Sequence, residues 1–385
     1  MKRRLPLVLV LVLLLLLSAC ASLPPAPQLA PLAAGERERL LQDSRLLTGY
    51  DLRDADFSGR HLVGVDFSGS DLRGVSFAGA RLEKVVFRDA LLDQADFSRA
   101  LLREVDFSNA RLPRADFRHA RLHQIKFKQT LIQHGLFQQV RGERLGFQNA
   151  ILNDARFDHS HLAHSRFDNA RLQYARLDDA ILARNDFRYA DMLGAQAVAA
   201  DFSGSDLYGA KLNRGRFARS NFSRANLRIT DFTYSRLPQA RFAQALAIGV
   251  RFSQARLDGA DFHEADLREA RFDEASLRGA DFRRSQLERA RFQWAGLDDA
   301  RFQHSQLSKA VFTRARLRGA DFSGAVLKWV KMTMADLRGV RFTEADVHKV
   351  DLRGANLAQA DFRQAKHLDT LIGLDLSQNL DAALF

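Results

Sequence analysis

The chain has 385 residues, a single cysteine and a formal net charge of +12. One cysteine excludes an intramolecular disulfide, and the excess of Lys and Arg opposes imitation of a polyanion, which requires an acidic surface. There is no glycine-rich phosphate loop and no nucleophile elbow, and the carboxylates recur by position rather than converging in pairs, so no catalytic residue, cofactor or metal is expected.

Residues 1–19 read as an export signal. Lys2, Arg3 and Arg4 precede a nearly pure apolar run from Leu5 to Leu17, too short for a comfortable bilayer span of about 20 residues. The run ends in Leu17-Ser18-Ala19-Cys20, which resembles a bacterial lipobox. That resemblance implies cleavage before Cys20, acylation of its thiol and attachment to a membrane. Ala21, where an Asp would favour the inner membrane, implies the outer membrane facing the periplasm. Residues 20–34 hold four of the seven prolines and read as an extended tether. Residues 35–46 carry helix formers, with Leu40 and Leu41 on one side, and are expected to form a cap helix over the first coil of a repeat region that begins at 47.

From 47 to 365 a large apolar residue stands at every fifth position. Counting in fives from Leu52 to Phe362 gives 63 units, and 28 of the 29 Phe occupy these positions, Phe385 being the exception. Two residues earlier the side chain is nearly always small, as at Ala55, Ala80 and Ala110. Five residues would advance a helix by roughly 500°, scattering the apolar residues around it. In extended backbone the large residue and the small one two positions back face the same way. Each unit is therefore a short extended side followed by a corner, and such sides bury their apolar face only by winding into stacked coils. Up to Phe187 the large residues mostly alternate Leu and Phe, which favours four sides per coil, with residue i stacked on i+20. Phe57, Phe107, Phe157, Phe262 and Phe282 are then structural core.

The units Ala55-Asp56-Phe57-Ser58-Gly59, Ala265-Asp266-Leu267-Arg268-Glu269 and Ala355-Asn356-Leu357-Ala358-Gln359 resemble those of the pentapeptide-repeat family. The resemblance implies an all-β fold, a right-handed quadrilateral β-helix. Its length would be about 16 coils, or about 75 Å at strand-like spacing.

Departures from the pattern locate special points. Gly142 replaces a large residue while Leu145 stands where a small one belongs. Near 190–200 Ala197 is a centre, and Phe moves from positions ending in 7 to positions ending largely in 2. This seam predicts a locally loose core or a bend, or else a duplication scar without mechanical consequence. Residues 366–385 lose the register and carry apolar residues expected to cap the last coil. In some members of the family the C-terminal part pairs two rods, which leaves a homodimer open.

Six of the eleven histidines lie between His119 and His164, a spacing that reads as solvated surface rather than three or four converging metal ligands. Removing Lys2, Arg3 and Arg4 from the net charge of +12 leaves +9, and residues 201–385 carry most of it. Arg251, Arg271 and Arg291 are expected to stack on one face as a candidate anion-binding site, unless Asp273 and Glu274 neutralise them. Protection of gyrase through DNA imitation, which the resemblance implies for some members of the family only, meets two objections here, a basic surface and an export signal, and no nucleic acid is expected. The reading is a non-catalytic, lipid-anchored rod of the bacterial envelope that acts as a structural or protein-interaction scaffold. The alternative is a binder of anionic envelope polymers or lipopolysaccharide phosphates.

Overall fold

Each five-residue unit supplies the bonds that close its own corner, as Asp106-Phe107-Ser108-Asn109-Ala110 shows. The Asp106 carboxylate accepts the Ser108 backbone N–H at 2.9 Å, and the Ala110 N–H donates to the Phe107 carbonyl at 2.9 Å. Asn109 takes φ 61°, so the corner is a type II turn with its left-handed position two residues after the centre. Short Asp at the position before the centre is thus selected by its bond to backbone, not by chemistry with a ligand. The same left-handed corner recurs at most units, and at Gly209 glycine also clears space. A Cβ there would lie 2.8 Å from the Tyr189 ring, which lies across it from the preceding coil.

The computed structural model describes residues 46–385 apart from residue 54, together with the strand Ala30–Pro31. Coils stack in parallel at 20-residue intervals: Val86 bridges Asp106, which bridges Lys126, and the pattern repeats on all four sides. The expected four-sided, all-β solenoid is therefore the fold. The faces are named here by their first centres, Leu52, Phe57, Leu62 and Phe67. Strand β1 (Ala30–Pro31), from the segment read as a tether, pairs with β2 (Tyr50–Asp51) in the same 20-residue register. Leu46 forms a parallel bridge with Asp66 instead of ending a helix, and the rest of the expected cap helix lies outside the described residues, as does Cys20.

Inside, Phe57, Phe107, Phe157, Phe262 and Phe282 are all at most 1% exposed. Phe rings stack along a face, 4.9 Å between Phe57 and Phe77, and meet the neighbouring ladder edge to face, 5.4 Å between Phe57 and Phe67. Both geometries are favourable for aromatic pairs, and each buried Phe adds about 1.5–3 kcal/mol of hydrophobic stabilisation. At Gly142 the volume is refilled in place: a Cβ there would sit 2.6 Å from Leu145 Cδ1. The two departures in the sequence are one compensated pair.

One face differs from the others. On the Leu62 face, β3 (His61–Val63), β4 (Arg81–Glu83), β5 (Leu101–Arg103), β6 (Arg121–His123), β7 (Arg141–Glu143) and β8 (His161–Ala163) form a six-stranded parallel sheet. The residues after its corners are Val65, Val85, Val105, Ile125 and Leu145, bulk in five successive coils, and β-branched residues suit extended backbone. Isolated valines keep their turn, as Val75 does by donating to the Leu72 carbonyl at 3.2 Å. The sheet ends through a ladder of polar side chains. Leu145 N–H donates to Ser165 Oγ at 3.1 Å, Ser165 N–H to Asn185 Oδ1 at 2.7 Å, and Asn185 N–H to Ser205 Oγ at 3.0 Å.

At the seam the Phe ladders change faces, with Phe187 and Phe202 in edge contact at 5.6 Å. The backbone ladder runs on through Arg176, Gln196 and Arg216 without a gap, and Met192, Ala195, Ala197 and Ala200 are fully buried. The Phe217 ring fills the space beside Gly215, where a Cβ would lie 2.3 Å from its Cε2. At the far end the register lengthens, Asp351 pairing with Ile372, Asn356 with Gln378 and Asp361 with Leu384. Leu368, Leu371, Leu374 and Leu380 pack against the core. Phe385, the exception in sequence, stacks on Phe362 at 5.1 Å and extends the Phe ladder.

Candidate anion-binding faces

The outward positions on either side of each centre point into solvent, and their default pairing is a fork. Arg two residues after an Asp folds back on it, as Arg283 does on Asp281 (2.7 Å) and Arg338 on Asp336 (2.8 Å). Burial alone would raise the Asp281 carboxyl, but the Arg283 fork and the neighbouring Arg301 hold it below the usual range. The Arg338 fork, opposed by partial burial and helped by Arg318, brings Asp336 down to about 2. Planar bidentate pairing of this kind is what the Asp-Leu-Arg units are built for.

Arg251, Arg271 and Arg291 bridge in succession on the Leu52 face, so the structure does bring them together. Their environment divides them. Arg251 pairs with Asp231 at 2.8 Å, and Arg291 reaches Asp273 at 3.4 Å and Gln293 at 2.9 Å. Arg271 has no carboxylate within ion-pair distance among the described residues. Glu274 accepts from Gln254 and neutralises none of the three. The trio borders a groove of about 700 Å³ with Tyr189, Ile229, Arg289 and Glu269, whose carboxylate stands 3.6 Å from Arg289.

A second ladder was missed in sequence. On the Phe57 face Arg216 bridges Arg236, which bridges Arg256, all three exposed. No carboxylate lies within ion-pair distance of any of them among the described residues. The fork position after the centre is occupied by Ala218, then Pro238, then Asp258, and Asp258 is turned to Ser276 Oγ at 2.6 Å. The signal was available: three Arg at a spacing of 20 whose partner positions are apolar in two cases of three.

The histidines divide between a corner and the extended face. His119, Gln139 and His159 line a groove of about 600 Å³ with Arg121, Arg141 and His161. His159 stands 3.7 Å from Asp179, and His123 stands 3.4 Å from Glu143. Among the described residues no group of three or more His, Cys, Asp or Glu converges on a point that could hold a metal ion. Among the same residues no helix is long and apolar enough to cross a membrane.

A four-sided parallel solenoid with a filled core defines a class of protein whose chemistry lies in its outer faces. The model for pentapeptide repeat regions matches residues 60–137 and 285–362, and that for eight-copy pentapeptide repeats matches overlapping segments between 165 and 303. The chain belongs to the pentapeptide-repeat family.

Among solved structures, a trypsin-treated form of QnrB1, a plasmid-mediated fluoroquinolone resistance protein, is 25% identical with a TM-score of 0.32. That match covers 50% of this chain and 91% of QnrB1. HetL, a pentapeptide repeat protein involved in heterocyst differentiation regulation in Nostoc sp. strain PCC 7120, is 21% identical with a TM-score of 0.21, covering 80% of this chain and 96% of HetL. A pentapeptide repeat protein of the Arabidopsis thaliana thylakoid lumen is 25% identical with a TM-score of 0.21, covering 27% of this chain and 69% of that one. No curated protein matches the chain.

Proposed function

We propose that this chain is a non-catalytic scaffold of the bacterial cell envelope, a stiff rod held to the membrane by a lipid on Cys20. The observation that carries the scaffold reading is the core: its centres from Leu52 to Phe362, mostly stacked Phe and Leu, are filled, which leaves the rod its outer faces to offer a partner. Support for the anchor comes from the sequence, the basic start, the short apolar run and Leu17-Ser18-Ala19-Cys20. The proline-bearing residues between Cys20 and the strand Ala30–Pro31 supply reach between lipid and rod. The test is metabolic fatty-acid labelling with membrane fractionation, comparing the native chain with Cys20→Ala. Label and membrane association should both vanish in the variant. A native chain that stays soluble and unlabelled would overturn the anchor.

Binding of anionic envelope polymers or lipopolysaccharide phosphates through the distal basic faces is a second reading, favoured by the stacking of Arg251, Arg271 and Arg291. An electrostatic binder weakens steeply between low and moderate salt, whereas a protein-docking face does so less. Gyrase protection by DNA imitation fits less well, because the net charge is +12 and many surface carboxylates are tied up in arginine forks.

A further inference from the structure

We propose that Arg216, Arg236 and Arg256 form a binding track for a linear acidic polysaccharide of uronic acid type, laid along the rod axis with one carboxylate over each coil. Three features point to it. First, the column is the longest run of stacked arginines without an ion-pair partner among the described residues; elsewhere, as at Arg118, Arg283 and Arg353, the guanidinium is spent on a neighbouring Asp. Like charges one coil apart repel, and a fixed unpaired series of them is relieved by an external anion. Second, the surroundings add cations and withhold carboxylates. Arg214 and Arg219 flank the column on exposed corners, Arg214 lying over the Tyr234 ring at 6.0 Å. Two acids of the same coils are engaged elsewhere, Asp231 with Arg251 and Asp258 with Ser276 and the Arg278 backbone N–H.

Third, the spacing selects the polymer. Parallel coils repeat at ~4.8 Å, and the column therefore offers one guanidinium fork per step of that length. A pyranose ring is about as long as one step, so a chain with one carboxylate per sugar matches the charge spacing of the column, and the long arginine side chains take up the rotation of successive sugars about the chain axis. The phosphates of linear polyphosphate lie closer together than one step and fall out of register. Tyr234 and Pro238 beside the column give a sugar ring apolar surface to rest on.

This inference concerns a face other than the Arg251 groove and does not depend on the lipid anchor. The experiment is binding of full-length protein, in mild detergent, to immobilised polygalacturonate, with soluble polygalacturonate, polyphosphate and neutral dextran as competitors. Wild type should bind at low salt, and polygalacturonate should compete better than polyphosphate, with dextran inert. The triple variant Arg216→Gln, Arg236→Gln, Arg256→Gln should lose roughly tenfold or more in affinity with an unchanged circular dichroism spectrum. The triple Arg→Lys variant keeps the charge but loses the fork, and should lie between. Arg118→Gln, Arg283→Gln, Arg353→Gln removes as much charge from arginines already forked to Asp and should change affinity less than about twofold. Absence of wild-type binding, equal competition by polyphosphate, or equal loss in the two Gln triples would each overturn the proposal. Cys20→Ala should leave binding unchanged, so failure of the anchor and failure of the track are told apart.

Discussion

Before the seam and after it, the rod builds the same core with different faces. Up to Phe187 the aromatic ladders lie on the Phe57 and Phe67 faces; from Phe202 they lie mainly on the Leu62 and Leu52 faces. The first half also opens its Leu62 face into a six-stranded sheet, which the second half closes into turns. Residues 51–200 are nearly neutral by sequence, while the second half holds both arginine ladders. The interior treats Phe and Leu as interchangeable so long as ring stacks on ring, and this leaves the outer columns free to diverge. Core and surface are read by separate positions of the same five-residue unit.

If the two cores are equivalent, a charge placed in either should be equally ruinous and equally local. Phe107→Asp puts a carboxylate in a stacked apolar column with no partner, a cost of several kcal/mol. Because each coil touches only its neighbours, the coils around 107 should melt while the distal half persists. Limited proteolysis with mass spectrometry checks this: cuts confined to the first half support the comparison. Unchanged melting and protection would mean that Phe107 does not point inward.

The junction is the next most sensitive place. Asn185→Ala removes the acceptor of the Ser165 N–H and the donor to the Leu162 carbonyl, both in buried positions. Each orphaned group costs about 1–3 kcal/mol, so thermal unfolding should move down clearly, whereas Asn153→Ala, whose loss leaves only the partly exposed Gln173 N–H to water, should be nearly neutral. Equal melting of the two variants would mean that the polar ladder does not hold the sheet's end.

The period made the stacked coils legible, a large residue at every fifth position with a small one two earlier, and the alternation of Leu and Phe up to Phe187 favoured four sides. It also placed Arg251, Arg271 and Arg291 in one column, since residues 20 apart stack. What it did not reveal was pairing. The notation of charges cannot tell that Asp273 turns to Arg291 while Glu274 turns to Gln254, because both choices depend on rotamers around a left-handed corner. The Arg216 column was legible but overlooked, since Ala218 and Pro238, which cannot fork, stand where a partner Asp would. The extended face was written in Val65, Val85, Val105 and Ile125, but those residues pass as merely small-to-medium until the 20-residue spacing is applied to the inner positions too.

Acid should separate forked carboxylates from ordinary ones. Asp336 is held at about 2 in the folded chain, below its unfolded value near 4. A depressed carboxylate contributes stability that is fully present above the unfolded value and is lost as pH falls through the folded one. Asp336→Asn should therefore cost stability at pH 7, below about 1 kcal/mol given the exposure of the pair. The difference from wild type should fade as pH falls from about 4 toward 2. Urea melts at the two ends of that range test it, and a penalty independent of pH would assign the effect to the lost hydrogen bonds instead.

The smallest effect should come from reversing an unpaired cation, and its sign is informative. Arg271→Glu places a carboxylate one coil from Arg251 and one from Arg291, so the fold should stay intact and melting should change by no more than about 0.5 kcal/mol, in the stabilising direction if at all. The same reversal in the first half, Arg118→Glu, breaks a fork to Asp116 at 2.6 Å and sets two carboxylates on adjacent outward positions, so it should destabilise modestly. Paired melts at low and high salt decide the matter, since added salt should shrink both effects toward zero. If the two reversals instead share a sign and a size, the outer columns of the two halves are electrostatically alike, and the idea that the distal half was left with unsatisfied cations for a partner loses its footing.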